Sequence, residues 1–188
     1  SNRHMFDFIK KTYQQRQLRL LMQNQRDKRI ENWESLKTIG LVFVVGSSEN
    51  WNLINRFLTT QEKNGKKLSV IGFHPSGYQI DYIFTHTDTT ICHEKEDFTF
   101  LGMPKEGVID HFIDRHYDLL IDATEQPCFF GKYVSARTDA DLKVAYTNKE
   151  ADDEGPMEMY DLTIQGEVKV DFRNYIEQIV KYLTMIKK

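Results

Sequence analysis

Apolar positions along this chain alternate between short unbroken runs and longer stretches with a helical period. The run "TIGLVFVV" (residues 38–45) has no polar alternation, which is how a strand buried on both faces reads. "LSVIGF" (68–73), "YDLLIDA" (117–123) and "LKVAY" (142–146) read as further strands, and "YDLTIQ" (160–165) as a last, edge strand. Between the first two runs, Gly46-Ser47-Ser48 turns the chain, and Ser47 or Ser48 can cap a helix with Glu49 in its first turn. Trp51, Ile54, Phe57 and Leu58 form that helix's apolar face, and Asn64-Gly65 ends it. Strand, helix and strand make a βαβ unit.

Residues 74–104 carry a mixed pattern. Tyr78, Ile80, Tyr82 and Phe84 alternate with polar residues, which predicts a half-exposed strand or hairpin, and "FTFLG" (98–102) predicts a short strand. Pro104 leads into an expected helix over 105–115 with Val108, Ile109, Phe112 and Ile113 inward. Pro127 suits the first position of a helix running to Ala136. Asp171 can cap a final helix, with Val170 as a staple before it. Its expected buried stripe is Phe172, Ile176, Ile179, Val180, Leu183 and Ile186.

Residues 5–35 read as one long polar helix rich in glutamine, without Gly or Pro. Phe6, Ile9, Tyr13 and Leu20 share a face, which Leu18, Leu21 and Met22 widen. Ser1–His4 looks like a cloning remnant ahead of Met5. The resulting expectation is an α/β fold: a doubly wound, mostly parallel, Rossmann-like sheet of about four or five strands over residues 37–188, with a basic helical extension over 5–36.

Charge changes the picture in one place. The whole chain has a net charge of -3, yet residues 5–37 hold eight Lys/Arg against four Asp/Glu. Lys10, Lys11, Arg16, Arg19, Arg26, Lys28 and Arg29 would carry any contact with nucleic acid or an anionic membrane surface. A solvated face is the commoner use of such charges, and a protein partner or a second copy competes with lipid for this helix. Two cysteines make no disulfide framework. No run approaches the roughly 18 apolar residues of a membrane span, and no secretory signal is visible, so a cytoplasmic location is expected.

In a wound sheet, ligands bind beyond the carboxyl ends of the strands, where strand order reverses. Three loops therefore hold the candidate chemistry. "GSSEN" (46–50) opens a helix after a strand, so Ser47 and Ser48 could bind an anion, although Glu49 opposes it and capping is the ordinary use. His74 at a strand end can act as acid, base or ligand, with a plain turn as the alternative. Asp122 ends a strand as catalytic carboxylates do. Cys128, in the first turn of a helix, would have its thiol pKa lowered by the dipole. Burial of Cys128 between Pro127 and Phe129, with Asp122 or Thr124 capping the helix, is the structural alternative. No metal site is expected. His86, Asp88, Cys92 and His93 match no zinc spacing, His111 and His116 do not share a helix face, and Glu150, Asp152, Asp153 and Glu154 lack an EF-hand pattern. No cofactor is predicted.

The stretch "HFIDRHYDLLIDATEQPCFFGKYVSARTDADLKVAYTN" is similar to an uncharacterised bacterial domain family of unknown function. Its members resemble this chain in a basic N-terminal helix, an "IG" strand start (Ile39-Gly40), a strand like residues 117–123, and a "KVG"-like strand at Lys143-Val144-Ala145, where Ala145 replaces the usual glycine. That resemblance implies no catalytic residues. The same stretch is similar to the N-terminal half of heptosyltransferase-type glycosyltransferases, which implies the fold. Their nucleotide-sugar is held mainly by a second half that these 188 residues do not hold. The expected function is a non-catalytic binding module. The alternative is an enzyme binding a small molecule or an anion such as a nucleotide-sugar, its site built from the loops at Ser47, His74 and Asp122.

Overall fold

A computed structural model of the chain describes residues 1–23, 26–148, 155–166 and 171–188. The elements run α1 (Asn2–Leu21), a 3-10 turn (Trp33–Ser35), β1 (Thr38–Val44), α2 (Ser48–Lys63), β2 (Lys67–His74), β3 (Asp88–His93), α3 (Glu94–Asp97), α4 (Asp110–Ile113), β4 (His116–Asp122), α5 (Phe129–Arg137), β5 (Asp139–Thr147), β6 (Leu162–Gln165) and α6 (Phe172–Thr184). The six strands form one sheet in the order β3-β2-β1-β4-β5-β6, every described pairing parallel. This is a doubly wound α/β fold in which the strand order reverses between β1 and β4.

Alternate residues of the strands feed opposite faces. Ile39, Leu41 and Phe43 join Leu119, Ile121, Leu142 and Val144 under α2 and α6. Val42, Ile71, Leu120 and Ala145 join Phe112, Phe130 and Val134 under α4 and α5. Ser47 caps α2, its Oγ accepting from Asn50 N at 3.1 Å. Gly65, with φ +86°, supplies the left-handed turn that ends it. Asp171 caps α6, accepting from Arg173 N at 3.0 Å. The staple expected at Val170 lies outside the described residues.

The structure departs from the sequence reading in four places. The N-terminal helix stops at Leu21 rather than near residue 35. Beyond it, Arg29 N donates to Asp141 O at 3.0 Å, Arg26 reaches Ala140 O at 2.6 Å, and Arg26 and Lys28 pair with Asp161. β6 pairs only with Val144–Thr147, so this segment bonds to the edge of β5 that β6 leaves bare, and those bonds outweigh helix propensity. The sheet has six strands rather than four or five. The additional one is β3, "DTTICH", in which only Cys92 is buried. Residues 78–84 form no strand, and Phe98 makes an isolated bridge to Pro104. The helix expected over 105–115 is a single turn, Asp110–Ile113, entered past Gly107 at φ +84°.

Candidate functional site

Parallel strands bring the loops at Gly46, His74 and Asp122 onto one rim of the sheet. At each a candidate side chain is already engaged by the fold. Beside Ser47, the Trp51 and Phe43 rings pack tilted at 33° with 5.2 Å between centroids, and Tyr82 donates its hydroxyl to Gly46 O. The crevice bounded by Phe43, Ser47, Trp51 and Tyr82 leaves no room for a water molecule. Ser47 is the N-cap, and Ser48 sits exposed at the first position of the helix.

His74 has a partner that the sequence did not reveal. β3 puts His93 in register with it, and the two Nδ1 atoms are 2.8 Å apart. Tyr78 O lies 2.6 Å from His74 Nε2. A carbonyl only accepts, so His74 carries its proton on Nε2 and its Nδ1 accepts from His93 Nδ1 in the neutral rings. Both nitrogens of His74 are thus engaged. Of His86, Asp88, Cys92 and His93, which match no zinc spacing, the last three are strung along β3, where Asp88 and His93 stand roughly 16 Å apart at the strand rise. Asp88 bonds His111 and Arg115 at the amino end of the sheet.

Asp122 is the centre of a buried knot. It is 2% exposed. Its Oδ1 accepts from Thr124 N at 3.0 Å and Thr124 Oγ1 at 2.7 Å, and its Oδ2 from the Tyr160 hydroxyl. Its backbone oxygen accepts from the Tyr175 hydroxyl at 2.9 Å. Burial raises the carboxyl pKa, against the pull of Tyr160, Thr124 and the Lys132 ammonium. Burial, and then the Asp122 charge, push both phenols up, so each remains a donor. Gly131 makes this possible, because a Cβ there would lie 2.6 Å from Asp122 Oδ2. Neither Asp122 nor Thr124 caps α5. Its N-cap is Cys128, one position before the first turn where the sequence had placed it.

Cys128 follows the buried alternative rather than the dipole-activated one. Burial, then the neighbouring Asp122 carboxylate, push its thiol up to about 12, although the Phe130 and Gly131 N–H groups favour the thiolate. Desolvation and a like charge outweigh the helix dipole here. Its thiolate fraction at neutral pH should be about a thousandfold below that of an ordinary thiol. Cys128 is therefore expected to react with a maleimide about a thousandfold more slowly than a free thiol at pH 7.5. Labelling on the timescale of free cysteine would restore the nucleophile.

The spacious cavities lie away from this rim. One of about 730 Å³ sits below residues 136–139, lined in part by Arg26, Lys28, Arg137, Lys143, Glu158 and Asp161. Burial, helped by Arg26, lowers the Lys143 amine to about 8. Another, of about 450 Å³, lies at the amino end between Lys66, His86 and Arg115. On β4 and β5, His116, Asp118 and Asp141 bring ligand-type atoms within 4.8 Å of one another. His116 is already engaged, with Nδ1 at 2.8 Å from Asp139 and Nε2 at 3.2 Å from Asp141. The acidic run Glu150, Asp152, Asp153 and Glu154 lies outside the described residues.

α1 offers the contrasting surface. Leu18 is 1% exposed and packs with Leu21 and Met22 toward α5. The stripe of Phe6, Ile9, Tyr13 and Leu20 is exposed, as are Met5 and Phe8, and Leu18, expected to widen it, is buried on the other side. Turns of 100° per residue place Leu18 almost opposite Ile9, so a helix docked by Leu18 must present the Ile9 face outward.

A family model described as "Family of unknown function (DUF6913)" matches residues 10–186. No curated protein and no solved structure matches the chain.

Proposed function

The chain belongs to the DUF6913 family, whose function is unassigned, and from that premise we propose that it is a non-catalytic cytoplasmic binding module that engages its partner through the outward face of α1. The observation that carries this reading is the contrast between the two surfaces. At the rim, Asp122 and Ser47 spend their polar groups on the fold, and so does His74. On α1, large apolar side chains stand exposed: Phe8 at 68% and Met5 at 62%. Contiguous exposed apolar surface with charges interspersed is the mark of an interaction site. Free thiols at Cys92 and Cys128 accord with a reducing compartment.

Small-molecule binding is the second reading, favoured by the lowered amine of Lys143 beside the largest of the cavities described above. A photo-cross-linking amino acid at Phe8, and separately at Ser47 or Arg137, separates the readings in cell extract that includes membranes. Adducts to protein or lipid are expected at position 8 alone. Adducts confined to position 47 or 137 would overturn the module in favour of a ligand site.

A further inference from the structure

Resting on that reading, we infer that the partner of α1 is an anionic lipid surface, on which the helix lies flat with Phe6, Phe8 and Ile9 inserted. Charge is the first argument. Residues 5–21 carry Lys10, Lys11, Arg16 and Arg19, and the one acid is Asp7. Asp7 does not share the outward face: with Lys10, Gln14 and Leu18 it lines a small cavity against Phe129. The exposed stripe therefore mixes apolar side chains with Arg16 and Arg19 and holds no negative charge. Two copies of α1 set face to face would bring these arginines together without a counter-charge, which opposes a homodimer through this helix.

Width is the second argument. Phe6 and Phe8 point about 160° apart around the helix axis, broader than the seam of a helix pair. Phe6 also stacks on Phe100 of the 98–104 loop, centroids 6.1 Å apart, and Phe100 is 76% exposed. Gln14 Nε2 donates to Leu101 O at 2.9 Å, which holds that loop against the helix. The apolar surface thus spans two elements with aromatic rings at its margin. A fluid interface accommodates rings spread in this way, and basic residues beside them meet its phosphates.

The rest of the chain limits the contact to this end. Residues 38–188 carry 16 basic and 24 acidic groups, so the body of the domain is repelled by an anionic surface. Arg26 and Lys28, which a continuous helix would have added to the patch, are bound to Asp161. Among the described residues no helix is long and apolar enough to cross a membrane, so the attachment is interfacial and reversible.

Co-sedimentation with vesicles tests the inference on the full chain. Binding is expected to phosphatidylglycerol mixed into phosphatidylcholine and not to phosphatidylcholine alone, weakening as salt is raised. Replacing both Arg16→Gln and Arg19→Gln should weaken it about 30-fold, at the usual contribution of a basic residue near an anionic surface. Phe8→Ser with Ile9→Ser should weaken it at least about tenfold. These side chains point away from the core, so an unchanged near-ultraviolet circular dichroism spectrum separates lost binding from lost folding. No sedimentation with the anionic vesicles, or equal sedimentation with both kinds, would overturn the lipid assignment. If the chain instead forms a dimer in solution that Phe8→Ser with Ile9→Ser dissolves, the lipid assignment falls while the binding-module reading stands. If both are absent, and position 8 also yields no cross-link, both fall together.

Discussion

Asp122→Ala is expected to destabilise the protein by about 3–5 kcal/mol, the usual loss when one member of a buried charged network is removed. The substitution strips the acceptor from Thr124 N, Thr124 Oγ1 and the Tyr160 hydroxyl at once, in a site that water does not reach. It also removes a negative charge from beside the buried Lys132 ammonium. For a chain of this size the loss corresponds to a melting temperature lower by about 10 °C. Tyr160→Phe removes a single donor and should cost about 1–3 kcal/mol. Urea and thermal unfolding of both variants check the ordering. An Asp122→Ala protein that melts with the parent would show that the carboxylate is not structural and return it to the list of reactive groups. Vesicle binding should be unaffected in whatever fraction of the variant remains folded, because α1 presents its outward face independently of this knot.

The second large effect lies in the sheet beneath α2. Gly72→Ala is expected to cost about 2–3 kcal/mol, as overpacking of a filled core does. An ideal Cβ at Gly72 would lie 2.5 Å from Phe43 Cε1 and 3.1 Å from Ile91 Cδ1. The Phe43 ring cannot retreat easily: it is 2% exposed and packed against Trp51. The strand would ordinarily gain from losing a glycine, by roughly 0.5–1 kcal/mol, so the sign of the result tests which effect governs. Pairing Gly72→Ala with Phe43→Leu should recover part of the loss. A double-mutant cycle then reads the coupling directly, and additive effects would place the strain elsewhere. Position 72 matters to the site as well. The ring that occupies the space above it also closes the crevice beside Ser47.

Fold class was legible because the inner strands are buried on both faces. "TIGLVFVV" and the centre of "YDLLIDA" therefore read as nearly continuous apolar runs, and their short length with Gly or Pro soon after favours strand over buried helix. β3 escaped notice for the complementary reason. It lies at the sheet edge, five of its six residues keep partial exposure, and its threonines carry no apolar alternation. The reach of the first helix was overestimated because propensity speaks only for local backbone. Arg26 and Arg29 take their partners from Asp161, Ala140 and Asp141, far along the chain. For Cys128 the local and the tertiary signals oppose each other. Its position at a helix start is local information, but desolvation and the Asp122 carboxylate are not.

By itself the sequence determined the wound sheet, a cap for α2 at Ser47 or Ser48, the cap at Asp171, and the rim that carries Gly46, His74 and Asp122. Each of these follows from neighbours within a few residues, where periodicity and capping act. Only the tertiary structure decided how those rim groups are used. Tyr160 and Tyr175 reach Asp122 across 38 and 53 residues, and His93 reaches His74 across a strand pairing. It also decided which side of α1 faces the solvent. A helix with apolar residues on two sides can dock by either, and the choice rests on which one fits the surface of α5 and the neighbouring loops.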